Sequence, residues 1–232
     1  MDGHDSVLLS QLLGLLVHDL RNPLAGLKCN ATLLEDTSPS ATPMMEGIVE
    51  DIGVSCTMLG HLLDNAELLA RELSGTYRVE LARIGLAEIV DRVVRELRDV
   101  AKSHGTTVVI EGEIAPELCV VSHRDLLARA LLNFAYNGIQ HGAGTPVRFI
   151  VRKTGARVVV SVEDDGVPIA SELYDVIFTR EGQVKGRSQE QGRYSRGLGL
   201  YIAGVAAKLA GGKPRATATL TGNALQLELA LG

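Results

Sequence analysis

Four residues in one short stretch, His18, Asp19, Asn22 and Pro23, are of the types and at the spacing that could do chemistry. An imidazole followed by a carboxylate gains an acceptor for one ring N–H, which fixes the tautomer and leaves the other nitrogen as a nucleophile. Asn22 stands at i+4, within reach of a group attached to the ring. Pro23 removes a helical hydrogen bond just beyond the histidine, a cost that asks for a reason. A lone histidine on a polar helix face is ordinarily a solvated side chain, so company is what singles this one out. His4, His61, His104 and His123 lack comparable neighbours, and His141 reads either as a phosphate contact or as a helix-end histidine facing the dipole.

Three further stretches suggest a phosphate-bearing ligand. Asn133 and Asn137 are one helical turn apart. Asparagine is a poor residue for a helix interior. A helix-surface pair is the plain reading, and an amide oxygen for Mg²⁺ held between phosphates is the chemical one. Glu163-Asp164-Asp165-Gly166 ends an apolar alternation. It is either an acidic turn or a carboxylate placed to accept from an exocyclic amine such as that of adenine. Gly197-Leu198-Gly199 opens an apolar helical pattern, where backbone N–H groups and the helix dipole make an anion site. Arg180, Lys185, Arg187, Arg193 and Arg196 precede it, a solvated loop or a basic segment able to close over phosphates.

His18-Asp19-Leu20-Arg21-Asn22-Pro23-Leu24 resembles the phospho-acceptor box of two-component histidine kinases, and the later stretches fall in the family's order. Asn133 and Asn137 match its asparagine box, Asp164 and Gly166 its first glycine box, Ile177-Phe178 its phenylalanine box, and Gly197 and Gly199 its second glycine box. The resemblance implies the nucleotide fold of gyrase, Hsp90 and MutL. It also implies ATP and Mg²⁺ as cofactors, phosphorylation of His18, and relay to an aspartate of a response regulator. By residue, it implies Asn137 as magnesium ligand with Asn133 in support, Asp164 and Gly166 at adenine, and Gly197 and Gly199 at the phosphates. Asp19 becomes the base or orienter, and Asn22 the residue that aligns water in a phosphatase reaction. Three positions depart from the pattern: Gln140 stands for a phosphate-contacting lysine, Pro168 for the second glycine of the first glycine box, and Ser195 for the first of the second.

The elements that must position these groups follow from periodicity. Leu13, Leu20, Leu27 and Leu34 repeat every seven residues with Leu9, Leu16, Pro23 and Asn30 alongside, a coiled-coil seam. At about 100° per residue His18 points away from that seam and Asn22 shares its face. The helix is expected over Ser6 to Glu35, ending in the breakers Asp36 to Ser40, and a second over Thr42 to Leu73 with Met45, Ile52, Leu59 and Ala66 on one row and Ile48, Leu62 and Leu69 on the other. One hairpin buries only one stripe per helix, so two copies should associate into a four-helix bundle. Residues 1–74 are thus expected as a dimerising phosphotransfer hairpin, with Ser74-Gly75-Thr76 as hinge, and residues 75–232 as an α/β sandwich, an α+β chain overall.

In the second part the pattern predicts strands at Tyr77 to Leu81, Thr106 to Ile110, Leu118 to Val121, Val147 to Arg152, Arg157 to Glu163, Ala216 to Leu220 and Ala224 to Leu231. Helices are expected over Leu86 to His104, His123 to His141 and Gly197 to Ala210, with a helical turn near Ala170 to Val176. Net charge of −5 argues against a dedicated nucleic-acid surface. Three scattered cysteines, Cys29, Cys56 and Cys119, suggest neither disulfides nor structural zinc and fit a reducing cytoplasm. The longest apolar run, Val7 to Val17, is about half of a membrane span. Seventeen residues precede His18, so the input is expected from a separate sensor protein. The leading expectation is a histidine kinase core. The alternatives are a phosphotransfer adaptor whose second domain no longer binds ATP, and an ATPase clamp, which would leave the histidine helix unexplained.

Overall fold

The computed structural model describes residues 3–36, 42–75, 78–142, 144–179, 181–182 and 198–232. Its contacts divide the chain into two compact units, residues 1–67 and 68–232.

The first unit consists of α1 (Gly3–Asp36) and most of α2 (Thr42–Leu73). Gly26 of α1 lies against Ser55 of α2, where a Cβ would sit 3.4 Å from the serine hydroxyl. Small residues at that level let the two backbones approach. The expected seam residues Leu20, Leu27, Leu34, Met45, Ile52 and Leu59 are only half-buried, whereas Pro23 and Ile48 are buried. Beside them Val17, Leu24, Leu33, Val49 and Leu63 are exposed. A hairpin of two helices has no further layer with which to cover such residues. Inside the hairpin, His61 and Asn65, one turn apart on α2, are both buried and bond through Nε2 and Nδ2 at 3.1 Å.

The second unit is an α/β sandwich. A two-stranded antiparallel sheet pairs β1 (Ala82–Gly85) with β3 (Cys119–Ser122). A five-stranded mixed sheet runs in the order β2 (Val108–Glu111), β4 (Val147–Thr154), β5 (Arg157–Asp164), β7 (Asn223–Ala230), β6 (Lys213–Ala218). β2 and β4 are parallel and the other pairs antiparallel. Three helices pack with it: α3 (Leu86–Ser103), α4 (Arg124–His141) and α5 (Gly199–Leu209). Along α3, Leu86, Ile89, Val90, Val93, Leu97 and Val100 are buried at helical spacing, one apolar stripe. From the sheet, Phe149, Val162 and Leu225 lie opposite one another across three strands and are all buried. Each large apolar side chain so covered contributes about 1.5–3 kcal/mol, which makes this layer the core.

The first expected strand falls in a different place. Residues 78–81 are not in a strand, and pairing begins at Ala82, opposite Ser122. The alternation of Val79 and Leu81 suggests a half-buried strand, but Leu81 is 45% exposed and the buried side chain is Ile84. What decides is the partner: β3 lies opposite Ala82 to Gly85, and α3 begins immediately afterwards at Leu86. The other expected elements occur with ends shifted by a few residues. No helix among the described residues is long and apolar enough to cross a membrane.

Candidate functional site

α1 continues through Pro23, which is buried, so the proline does not end the helix. Proline contributes no N–H to the carbonyl four residues back, that of Asp19. The His18 side chain is 54% exposed and that of Asp19 18% exposed, with Nδ1 and Oδ1 3.3 Å apart. When the carboxylate accepts from Nδ1–H, the neutral ring carries its lone pair on Nε2. Asn22 is exposed one turn further on. The histidine therefore has the exposure and the orienting carboxylate that a nucleophile needs.

α4 carries the asparagine pair. Its N-cap is His123, whose Nδ1 accepts from the backbone N–H of Leu126 at 3.4 Å. Asn133 is buried, and its Nδ2 donates to the Arg129 carbonyl at 2.9 Å. With the amide nitrogen turned back along the helix, its Oδ1 lies 3.4 Å from where a Cβ on Gly199 would be. The first residue of α5 thus approaches Asn133 closely. Asn137, one turn on, is half-buried. Phe178 is buried with its ring 5.6 Å from that of Phe134, and a Cβ on Gly204 of α5 would collide with the Phe178 backbone, so Phe178 is held between α4 and α5.

Asp164, the last residue of β5, is buried beside the end of α4. Cβ atoms built on Gly138 and Gly142 would each come within 3.5 Å of its Cβ. The tighter limits lie elsewhere: a Cβ at Gly138 would press on Val147 of β4, and one at Gly142 would collide with the Gly138 carbonyl. Oδ1 of Asp164 accepts from the backbone N–H of Gly166 at 2.9 Å and from Nδ2 of Asn223 at 3.4 Å. Asn223, also buried, binds the following loop as well: Nδ2 donates to the Val167 carbonyl at 3.1 Å, and Oδ1 accepts from the Ile169 N–H at 2.6 Å. The next carboxylate is clamped differently. Arg148 grips Asp165 with both terminal nitrogens, and the Thr221 hydroxyl donates to it, which together hold its carboxyl down at about 2.

Asn133, Asn137, Asp164, Gly166 and Gly199 are therefore gathered around the second half of α4, within one unit. Gly197, Ser195 and the basic segment from Arg180 to Arg196 apart from Glu181 and Gly182 lie outside the described residues. Gln140 is exposed, as is Pro168. Sequence reasoning missed Gly138, Gly142 and Asn223. A glycine directly after Asn137 in a helix was an available signal, since glycine costs about 1 kcal/mol there unless a neighbour needs the space. Among the described residues no group of three or more His, Cys, Asp or Glu could hold a metal ion. The oxygen donors on α4 are neutral amides, which suit a Mg²⁺ that keeps most of its ligands on phosphate and water.

Two family models match this chain. Residues 8–75 match the His Kinase A (phospho-acceptor) domain, and residues 122–231 match the histidine kinase-, DNA gyrase B- and HSP90-like ATPase. Among curated proteins, the adaptive-response sensory kinase SasA of Microcystis aeruginosa is 22% identical over 201 residues, covering 83% of this chain and 51% of the relative. The chain thus spans about half the length of that relative. Among solved structures, the Acinetobacter baumannii histidine kinase AdeS superposes with a TM-score of 0.58 at 15% identity, covering 93% of this chain and 98% of that one. Full-length ShkA, solved in complex with AMPPNP, gives 0.58 at 24% identity over 96% of this chain and 46% of its own.

Proposed function

Because this chain belongs to the two-component sensor histidine kinases, we propose that it transfers the γ-phosphoryl group of ATP to His18 and then to an aspartate of a response regulator. Residues 1–74 act as the phosphotransfer hairpin and residues 75–232 as the nucleotide-binding domain. Asp164, which is kept on the edge of β5 by Gly166 and Asn223, accepts from the adenine amine. Asn137, supported by Asn133, holds Mg²⁺, which neutralises charge on the phosphates. Gly199, with Gly197, lets the backbone at the start of α5 approach the phosphates. Positioning of this kind is most of what phosphoryl transfer asks of a protein.

At the acceptor, Nε2 of His18 attacks phosphorus, the bond to the β-phosphate oxygen breaks, and ADP leaves. Asp19 holds the Nδ1 proton, so positive charge that develops on the ring meets a carboxylate 3.3 Å away. In the second half-reaction the N–P bond breaks and the regulator's carboxylate takes the phosphoryl group. The half-buried seam and exposed apolar residues of α1 and α2 support a homodimer, with a second copy completing a four-helix bundle. Free cysteines at 29, 56 and 119 support a reducing, cytoplasmic setting.

One observation carries the choice of kinase over an adaptor with a nucleotide domain that has lost its ligand. Asn133, Asp164 and Gly199, far apart in sequence, lie together around the second half of α4, which supports a shared ligand site. Calorimetric titration with ATP tests it. Magnesium-dependent binding, weakened about tenfold or more by Asp164→Asn, is the expected result, a loss of roughly 1.4 kcal/mol or more. No affinity at millimolar ATP would favour the adaptor.

A further inference from the structure

Asp165 takes no part in the chemistry above, yet it is the most heavily tethered residue of the loop after β5. Arg148 of β4 donates from Nη1 to Oδ2 at 2.9 Å and from Nη2 to Oδ1 at 2.6 Å. The Thr221 hydroxyl, from the turn between β6 and β7, donates to Oδ1 at 2.6 Å. The backbone N–H of Asp165 donates to Thr145 Oγ1 at 3.4 Å. Gly222 presses on the same backbone so closely that a Cβ there would collide with the Asp164 carbonyl and with Cα of Asp165. Four hydrogen bonds, with Arg148, Thr221 and Thr145, thus converge on Asp165, the residue next to Asp164.

This is unlike an ordinary surface ion pair, which contributes little because two long side chains must be ordered in water. The Arg148 and Asp165 side chains are only 23% and 25% exposed, and the guanidinium is further steadied by Glu111 at 3.8 Å. A forked, charge-assisted pair fixes orientation as well as distance. Asp165 is one residue from Asp164, so a shift of its backbone is passed to the Asp164 carboxylate almost undiminished. Hydrogen bonding to a base has little tolerance for such a shift.

We propose that Arg148 and Thr221 are positioning residues for the nucleotide base: by gripping Asp165 they aim Asp164, and they touch no part of the nucleotide themselves. This rests on the reading of Asp164 as the acceptor for the base. A purely structural role would let losses at Arg148 and Asp164 add, whereas action through Asp164 makes them non-additive.

The test is a double-mutant cycle on the full chain, with Mg·ATP affinity read by calorimetry and the melting temperature recorded for each variant. Arg148→Met is expected to weaken binding about tenfold, and Asp164→Asn, costly in the wild type, to change affinity less than about threefold when added to it. Asp165→Asn retains the Thr221 contact, so it gives a second cycle with the same expected non-additivity should Arg148→Met fail to fold. A full Asp164→Asn loss on top of either variant overturns the proposal alone. No loss from Asp164→Asn in the wild type overturns the reading of Asp164 and the proposal with it.

Discussion

Asn133 Oδ1 faces Gly199 across the junction of α4 and α5, 3.4 Å from the point that a Cβ on the glycine would occupy. That is ordinary van der Waals contact, so alanine fits the fold. It also favours the helix, by up to about 1 kcal/mol over glycine. Gly199→Ala is therefore expected to leave the melting temperature unchanged or raise it. Mg·ATP affinity should fall several-fold, since a methyl group now stands where backbone approaches phosphate. Thermal unfolding and calorimetry on the same sample separate the two effects. An unchanged affinity would remove Gly199 from the phosphate site.

Asp165 makes stability depend on acid in a definite direction. Its carboxyl is held at about 2, below an ordinary 3.8, first by the Arg148 hydrogen bonds and then by Thr221. A depressed carboxyl binds its proton less readily when folded than when unfolded. Its contribution is thus complete above about pH 4 and disappears as pH falls toward 2. Urea midpoints between pH 5 and pH 2 should drop more steeply for the wild type than for Asp165→Asn. Parallel curves would mean that the pair adds nothing to stability.

The α1 and α2 seam bears on assembly. Leu59 is half-buried with exposed apolar residues such as Leu63 nearby, and a second hairpin would bury what one leaves open. Leu59→Lys should convert a dimer to a monomer in sedimentation at micromolar concentration while ATP affinity persists, because an unpaired charge in a bundle core costs several kcal/mol. A monomeric wild type would count against the bundle.

Asn22 is exposed one turn beyond His18, and the proposed autophosphorylation gives it no proton to move. An uncharged amide can orient water toward the regulator's acyl phosphate. Asn22→Ala is expected to leave His18 phosphorylation within a few-fold and to slow regulator dephosphorylation roughly tenfold, about 1.4 kcal/mol of positioning. Equal loss of both activities would assign Asn22 to support of the helix around Pro23.

What the sequence made legible was local. His18 with Asp19 and Asn22 reads from spacing along one helix, as do Asn133 and Asn137 one turn apart on α4; the helix expected from Gly197 is described from Gly199. The clamp around Asp164 and Asp165 was not legible, because Asn223 reaches Asp164 from 59 residues away along the chain and Thr221 reaches Asp165 from 56. Only the antiparallel register of β5 with β7, which places Asp164 opposite Asn223, brings them together. Gly138 was hidden for the same reason, since the space it leaves is taken by Val147 of β4. At β1 the alternation of Val79 and Leu81 was misleading because a strand is decided by its partner, and the partner β3 pairs with Ala82 to Gly85.

In the proposed reaction His18 receives its phosphate from ATP, and label on the histidine itself tests that step. The full chain is incubated with γ-labelled Mg·ATP, and the protein-bound label is tested in acid and in alkali and mapped by mass spectrometry. The expected result is acid-labile, alkali-stable label on His18 that is absent from His18→Gln, while that variant still binds ATP with wild-type affinity. Label retained by His18→Gln, or a wild type that binds Mg·ATP and never becomes labelled, would contradict it.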